Sequence, residues 1–363
     1  MSDRPFRICF NALFLQNHLG GIGNYCYHLV KGIRARNPGW KLALLVHAGV
    51  ARHFRDIEGL EIIVVDIKSR NGRLAFFHLR FPFMVRRFDL LHSVGNMGMA
   101  FCPVPQVISI MDTYEHVSPE RFSWTKRKLM TLLISHSGGH AARVIAISQN
   151  TKRDISRYYP HLAGKVEVVY CGNKFPVAEN AAFANRAHFI FVGTLEPGKN
   201  LDHALRAFAR FGAGRGHRLR VVGAMGWNQT HIPGLLDSLG IREQVDFLGY
   251  VGDGELRGYY ASAIALLQAS SYEGFGLPVI EGMACGCPVI AARNSALVEA
   301  GGDAALFFET GDVPALAAWM DKLATDPALG LECVRKGLLH AKRFTWEDTA
   351  ASTGAIFQDI LGP

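Results

Sequence analysis

The chain has 363 residues, of which 49% are hydrophobic and 19% charged, too many for one ordinary core and suited to two domains of roughly 150 to 200 residues with a cleft. No apolar run reaches the roughly 18 residues of a membrane-spanning helix, and the N-terminal MSDRPFRICF lacks a signal-peptide core, which makes a soluble, unexported, cytoplasmic protein the expectation. The net charge of +8 is uneven: residues 1–170 hold 23 Lys/Arg against 11 Asp/Glu, and the remainder 16 against 20, so the first half suits an anionic partner or simply a solvated basic surface.

In chain order, apolar β-branched runs alternate with amphipathic segments. FRICFNALF, KLALLVHA, LEIIVVDI, DLLHSV, QVISIMD and ARVIAIS fill the first half; KVEVVY, HFIFVGTL, RLRVVGA, QVDFLGYV, AIALLQAS, CPVIAA and ALFFE follow. Short strands interleaved with helices predict parallel sheets covered on both faces, hence two doubly wound α/β domains. The pattern breaks in the Asn-, Pro- and Ala-rich segment 171–188, so the domains are expected at 1–178 and 179–343, with 344–363 a helix returning to the first. The seven scattered cysteines form neither a disulfide framework nor a zinc pattern, as in a reducing compartment. Cys285-Gly-Cys287 reads as a small-residue helix end or a metal or redox pair. His136 and His140 have the spacing of metal ligands but no acidic third partner, and no metal is expected.

Loops after strands take priority as ligand sites in such sheets. Gly20-Gly21-Ile22-Gly23 follows the first strand and precedes a helix, a backbone suited to an anion. It lacks the third glycine of a dinucleotide fingerprint, and KLALLVHA does not end in the acid that holds a ribose, which disfavours a nicotinamide enzyme. FVGTLEPGKN places Lys199 at a strand-to-helix turn, suited to a phosphate. SYEGFGLPVIEGMACG puts Glu273 in a turn and Glu281 in the first turn of a helix begun by Pro278, with the amides of Gly274 to Leu277 between them. Two carboxylates and backbone donors fit a diol, a sugar and a phosphate; helix capping by Glu281 is the alternative.

Together GGIGNY, ISIMDTYEHVSPERF, VIAISQNTKRDI, VGTLEPGKNLDHALRAF, FLGYVGDGEL, EGFGLPVIE, ACGCPVIAA and EAGGDAALFF resemble the retaining glycosyltransferases of family 4, over nearly the whole chain. The resemblance implies the GT-B fold, two Rossmann-like domains facing a central cleft, with the segment from Phe344-Thr345-Trp346 crossing back. It implies a nucleotide-sugar on the second domain, Glu281 on the ribose, Glu273 on the sugar hydroxyls and Lys199 on the diphosphate. Gly193, Thr194, Gly274, Phe275, Gly276 and Leu277 would present backbone to sugar and phosphate, Gly21 and Gly23 would complete the phosphate side, and Tyr250 and Val251 would line the base. Asp112, Glu273 and Lys199 form the implied catalytic set. The implied mechanism is front-face displacement with retention, electrostatically assisted and without metal or other cofactor.

Two positions depart from the family pattern. Met111-Asp112 stands where relatives carry His-Asp, and Gly198 replaces an arginine, removing a second cation from the diphosphate; Arg293 or first-domain bases are the candidates to compensate. A non-catalytic subunit binding a nucleotide-sugar is the competing reading. RLAFFHLRFPFMVRRF (73–88) and WTKRKLMTLL (124–133) interleave cations with rings, suiting an anionic membrane surface or a core helix with a basic outer face. A lipid-diphosphate-linked or growing glycan would then be the acceptor, as in polysaccharide or O-antigen synthesis. Similarity to the mannosyltransferase subgroup implies GDP-mannose as donor, with UDP- or dTDP-sugars as alternatives; nucleic acid is not expected, since no recognised module is present.

Overall fold

The computed structural model describes residues 4–15, 19–179, 181–184, 186–212 and 216–362; Asn180 and Asn185 of the linker segment lie outside these. The chain forms two units, one of residues 1–172 with 345–363 and one of residues 173–344. The division at 172/173 falls inside the segment where the apolar pattern breaks, and Phe344 stays with the second unit.

The first unit is built on a parallel sheet of β1 (Arg7–Ala12), β2 (Lys41–His47), β3 (Leu60–Val65), β4 (Leu90–Val94), β5 (Gln106–Ile110), β6 (Arg143–Ala146) and β7 (Val166–Val168), in the order β3-β2-β1-β4-β5-β6-β7. Every residue of β4 and β5 is buried, as in a sheet covered on both faces, and the polar residues among them, His92, Ser93, Gln106 and Ser109, are buried with the rest. The order reverses between β1 and β4. Their connections leave in opposite directions, opening a crevice at the carboxyl ends where such sheets take ligands. The C-terminal helix Trp346–Leu361 packs in this unit on the helix Gly20–Arg36. Trp346 stacks on His28 with ring centres 5.0 Å apart, and Thr349 donates to the Tyr170 carbonyl at 2.8 Å.

The second unit repeats the plan with β8 (His188–Val192), β9 (Arg218–Val222), β10 (Val245–Gly249), β11 (Ala263–Gln268), β12 (Val289–Ala292) and β13 (Leu306–Phe308), ordered β10-β9-β8-β11-β12-β13. Its reversal lies between β8 and β11. The loops that follow these two strands carry Gly193 to Lys199 and Ser270 to Gly276. Gly223, after β9, has φ +142°, and a Cβ there would lie 1.9 Å from the Gly193 carbonyl oxygen; only glycine lets these loops touch.

The segment 73–88 is both a core element and an outer face. Phe77, Phe81, Val85 and Phe88 enter the first unit's core with Leu13, Leu91 and Met99. Leu79, Phe83 and Met84 are exposed beside exposed Arg80, Arg86 and Arg87. Arg73, which the sequence pattern would place outside, is buried. On the helix Trp124–His140 the rings and side chains of Trp124, Leu129 and Leu132 are exposed, with Lys128 Nζ 4.1 Å from the Trp124 ring centre. No helix of the described residues is long and apolar enough to cross a membrane.

Candidate functional site

At the switch point of the second unit, the turn Pro197–Lys199 precedes the helix Leu201–Gly212. It is pinned to the loop after β11: the Ser271 N–H donates to the Gly198 carbonyl at 2.9 Å, and Asn200, in the left-handed region, donates from Nδ2 to the Ala269 carbonyl at 2.9 Å. Lys199 Nζ consequently reaches Glu273 Oε1 at 2.6 Å. That same oxygen accepts from Gln268 Nε2 at 2.9 Å and Ser270 Oγ at 2.7 Å. Three donors on one oxygen hold the carboxylate in a single orientation, and none of these bonds uses Oε2. The backbone is fixed as well, the Glu273 N–H donating to Ser295 Oγ at 2.9 Å. The residue is 8% exposed.

The sequence had no reason to join Gln268, Ser270 and Ser295 to this site. A visible sign existed in Gln268, a polar residue closing the apolar strand AIALLQ, because an amide buried at a strand end needs a partner. Gly193 lies opposite Lys199, a Cβ there meeting Lys199 Cε at 3.9 Å. Its own N–H is committed to the Val222 carbonyl at 3.0 Å, and Thr194 is exposed. Gly198, which replaces a cation, keeps a structural part through its carbonyl. Arg293 is engaged with Glu309 at 3.5 Å and lies over the Phe307 ring at 4.9 Å.

The turn after Glu273 runs through buried Gly274, Phe275 and Gly276 into the helix Leu277–Ala284. Gly276 is its N-cap with φ +114°, and an added Cβ would meet Leu297 and Ala300 at 3.1 and 3.2 Å. The Leu277 N–H, at the first helical position, has no carbonyl within the helix to bond. Phe275 directs its ring to the core, 5.6 Å from Phe344, so only its backbone can serve a ligand.

Glu281 corrects one expectation. The helix starts at Leu277, one residue before Pro278, so Glu281 lies in the second turn and the first turn contains no acid. Helix capping therefore does not account for it. Its carboxylate is buried with Tyr260 OH at 3.5 Å and Lys174 Nζ at 3.9 Å, and Lys174 also contacts Asp253 Oδ1 at 2.6 Å. Lys174 is brought in from the start of the unit, a long-range contact no local pattern announces. Charge on Lys174 is opposed by its burial but favoured by Glu281 and Asp253, and its pKa is raised. Tyr250 is 87% exposed at the end of β10, followed by half-buried Val251.

Asp112, Gly21 and Gly23 belong to the first unit. Asp112 follows β5; its Oδ1 accepts from Asn96 Nδ2 and the Tyr114 N–H, each at 3.3 Å. Met111 beside it is buried, its N–H donating to Asn96 Oδ1 at 2.8 Å. Gly21 and Gly23 were expected in a loop before a helix, but the helix begins at Gly20. The Gly23 N–H bonds the Leu19 carbonyl at 2.7 Å, so this amide is spent on the helix. Among the described residues no group of three His, Cys, Asp or Glu is placed to hold a metal. Cys285 and Cys287 are buried free thiols, each pushed up to about 12 by burial.

Burial holds the Glu281 carboxyl above the ordinary carboxylate range, with Lys174 and Tyr260 opposing it and Asp253 reinforcing it. An acid of raised folded-state pKa keeps its proton better folded than unfolded, so stability falls as pH rises from the ordinary carboxylate value through the raised one, and stays lowered above it. Glu281→Gln removes this cost. At neutral pH its melting temperature should rise, with the gain shrinking towards acid pH. A lower melting temperature at neutral pH would mean that the Lys174 pairing outweighs burial.

Comparison with known proteins adds the family. Residues 19–173 match the family model described as Glycosyltransferase Family 4, and residues 176–338 the model described as Glycosyl transferases group 1. The chain is 27% identical to O-antigen chain mannosyltransferase B of Escherichia coli over 96% of this chain and 98% of that protein. It superposes on sucrose-phosphate synthase from Thermosynechococcus elongatus with a TM-score of 0.80, at 20% identity and over 98% of both chains. Anabaena HepE in complex with UDP-glucose gives 0.76 at 18% identity, over 97% of this chain and 99% of that one. The chain thus belongs to the family 4 glycosyltransferases and has their GT-B fold.

Proposed function

We propose that this glycosyltransferase moves mannose from GDP-mannose to a lipid-linked or growing glycan in bacterial polysaccharide or O-antigen synthesis, retaining the anomeric configuration and using no metal. The carrying observation is the Lys199–Glu273 pair, held at 2.6 Å at the switch point of the second unit. Glu273 presents Oε2 to sugar hydroxyls, while Lys199 and the Leu277 N–H face the departing diphosphate. Glu281 takes the ribose hydroxyls, and Tyr250 and Val251 the base. Attack from the face that the diphosphate leaves, with a β-phosphate oxygen taking the acceptor proton, accounts for retention. The mannosyl assignment is supported by the full-length likeness to an O-antigen mannosyltransferase.

With glycine at position 198, Lys199 is the sole cation of its turn, so its loss should be severe. Purified protein given a mannosyl acceptor should consume GDP-mannose in preference to UDP-glucose or dTDP-rhamnose, in chelator, to give an α-linked product. Lys199→Met should lower kcat roughly 10²- to 10³-fold, the cost of one donor to developing charge. Turnover of UDP- or dTDP-sugars alone would replace the donor assignment, and inactivity with all of them would favour a non-catalytic subunit.

We further propose that the protein sits on the anionic inner face of the cytoplasmic membrane through the first unit. Exposed Leu79, Phe83 and Met84 beside Arg80, Arg86 and Arg87 combine apolar insertion with attraction to lipid phosphates. The protein should co-sediment with phosphatidylglycerol vesicles but not phosphatidylcholine ones, and Phe83→Glu should abolish this. Equal sedimentation with both, or none with either, would refute the membrane proposal.

A further inference from the structure

The first unit carries a cavity of about 210 Å³ at its own switch point, between the residues that follow β1 and those that follow β4. Its walls are largely apolar: Phe14, Leu74 and Phe77 line it, and Phe14 packs over Gly95, where a Cβ would lie 3.0 Å from the ring. Three polar side chains, Asn11, Arg73 and His78, complete the lining. Arg73 is only 6% exposed, yet no carboxylate of the described residues lies within ion-pair distance. Its Nη1 donates to the carbonyls of Ile67 and Lys68 at 2.9 and 2.7 Å, bonds that orient the guanidinium without cancelling its charge.

The other two polar residues also present hydrogens. His78 Nδ1 accepts from the Ala100 N–H at 3.3 Å, which leaves the ring hydrogen on Nε2. Burial holds this imidazole below its ordinary range, so it is neutral at physiological pH. Asn11 Oδ1 accepts from the Leu13 N–H at 3.2 Å, which leaves Nδ2 as the free end. The cavity therefore offers donors and a buried positive charge, with no carboxylate in its lining. A buried guanidinium without a counter-charge is costly, and an oxyanion is the ligand that relieves the cost.

We infer that this cavity is a binding subsite for a phosphate group carried on a ring or other apolar group, with Arg73 as its anchor and Asn11 and His78 as further donors. The phosphate oxygens meet the donors and the attached group packs against Phe14 and Phe77. The location, the ligand crevice of the unit that does not hold the donor-site residues, makes the phosphate-bearing end of the acceptor its natural occupant. That last step rests on the proposed transferase reaction; the binding chemistry does not.

Calorimetry on the full chain separates the two, using phenyl phosphate as probe with inorganic phosphate and phenol as its halves. Phenyl phosphate should bind at least tenfold more tightly than either half, and equally well with GDP present. Arg73→Met should weaken it more than tenfold, with partial recovery in Arg73→Lys. Because Arg73→Met also gives up two carbonyl bonds, Leu74→Trp provides a second variant that fills the cavity and leaves Arg73 in place; it should abolish binding too. Equal affinity for inorganic phosphate, unchanged binding in both Arg73→Met and Leu74→Trp, or displacement by GDP would each overturn the subsite. Phenyl phosphate binding that survives while no sugar is transferred would instead count against the donor and acceptor assignments alone.

Discussion

A lysine and a glutamate held 2.6 Å apart at a strand end set the terms for the second unit. Left to themselves, opposite charges close over each other and leave nothing for a ligand. Here Gln268 and Ser270 converge with Lys199 on one carboxylate oxygen, so the charge pair is used to aim the other oxygen rather than to fill the site. The rest of the local structure serves that arrangement. Asn200 is held in the left-handed region, the Gly198 carbonyl takes the Ser271 N–H, and Asn294 Nδ2 bonds the Ser270 carbonyl at 2.8 Å. Desolvation of such a pair costs several kcal/mol unless its remaining groups find partners, and these bonds supply them.

Both units place their polar chemistry at the same topological feature. A parallel sheet whose order reverses opens a crevice at the carboxyl ends of the two central strands, and each unit brings a buried charged side chain to that crevice. The second unit gathers Lys199 and Glu273 after β8 and β11. The first gathers Asn11, Arg73 and His78 around the ends of β1 and β4. Beneath that crevice, His92 Nε2 and Ser109 Oγ are 2.8 Å apart and Ser109 Oγ is 3.1 Å from Tyr25 OH, tying the helix Gly20–Arg36 to the sheet. Burial drives the His92 pKa down to about 3, so this network is uncharged and structural.

The strands were legible because a parallel sheet buries most of both faces of its inner strands, so that most strands are richer in apolar residues than their flanks. That Lys199 and Glu273 share one site was visible only through family resemblance, since 74 positions separate them, and their direct hydrogen bond was not visible at all. Misreadings share a cause in local reasoning. Gly20, Gly21 and Gly23 look like loop because glycine favours loops, yet a helix formed by the following residues extends back over them. Pro278 signals the first helical position, but proline is tolerated at the second as well, and the shift of one residue moved Glu281 out of the capping turn. Arg73 sits in a basic amphipathic run where every arginine looks solvated; that it turns inward depends on two carbonyls in the preceding turn. Lys174 lies in a linker, where polarity implies exposure, and only the fold brings it to Glu281.

The most direct test of the account is calorimetric binding of GDP-mannose and of GDP to the wild type and to Glu273→Gln. If Glu273 Oε2 grips the sugar, the substitution should weaken GDP-mannose about tenfold or more and leave GDP within about twofold, since a charged hydrogen bond contributes about 1.5–3 kcal/mol. Equal weakening of both ligands would show that Glu273 only braces the loop, and a wild type that binds neither would contradict the donor site altogether.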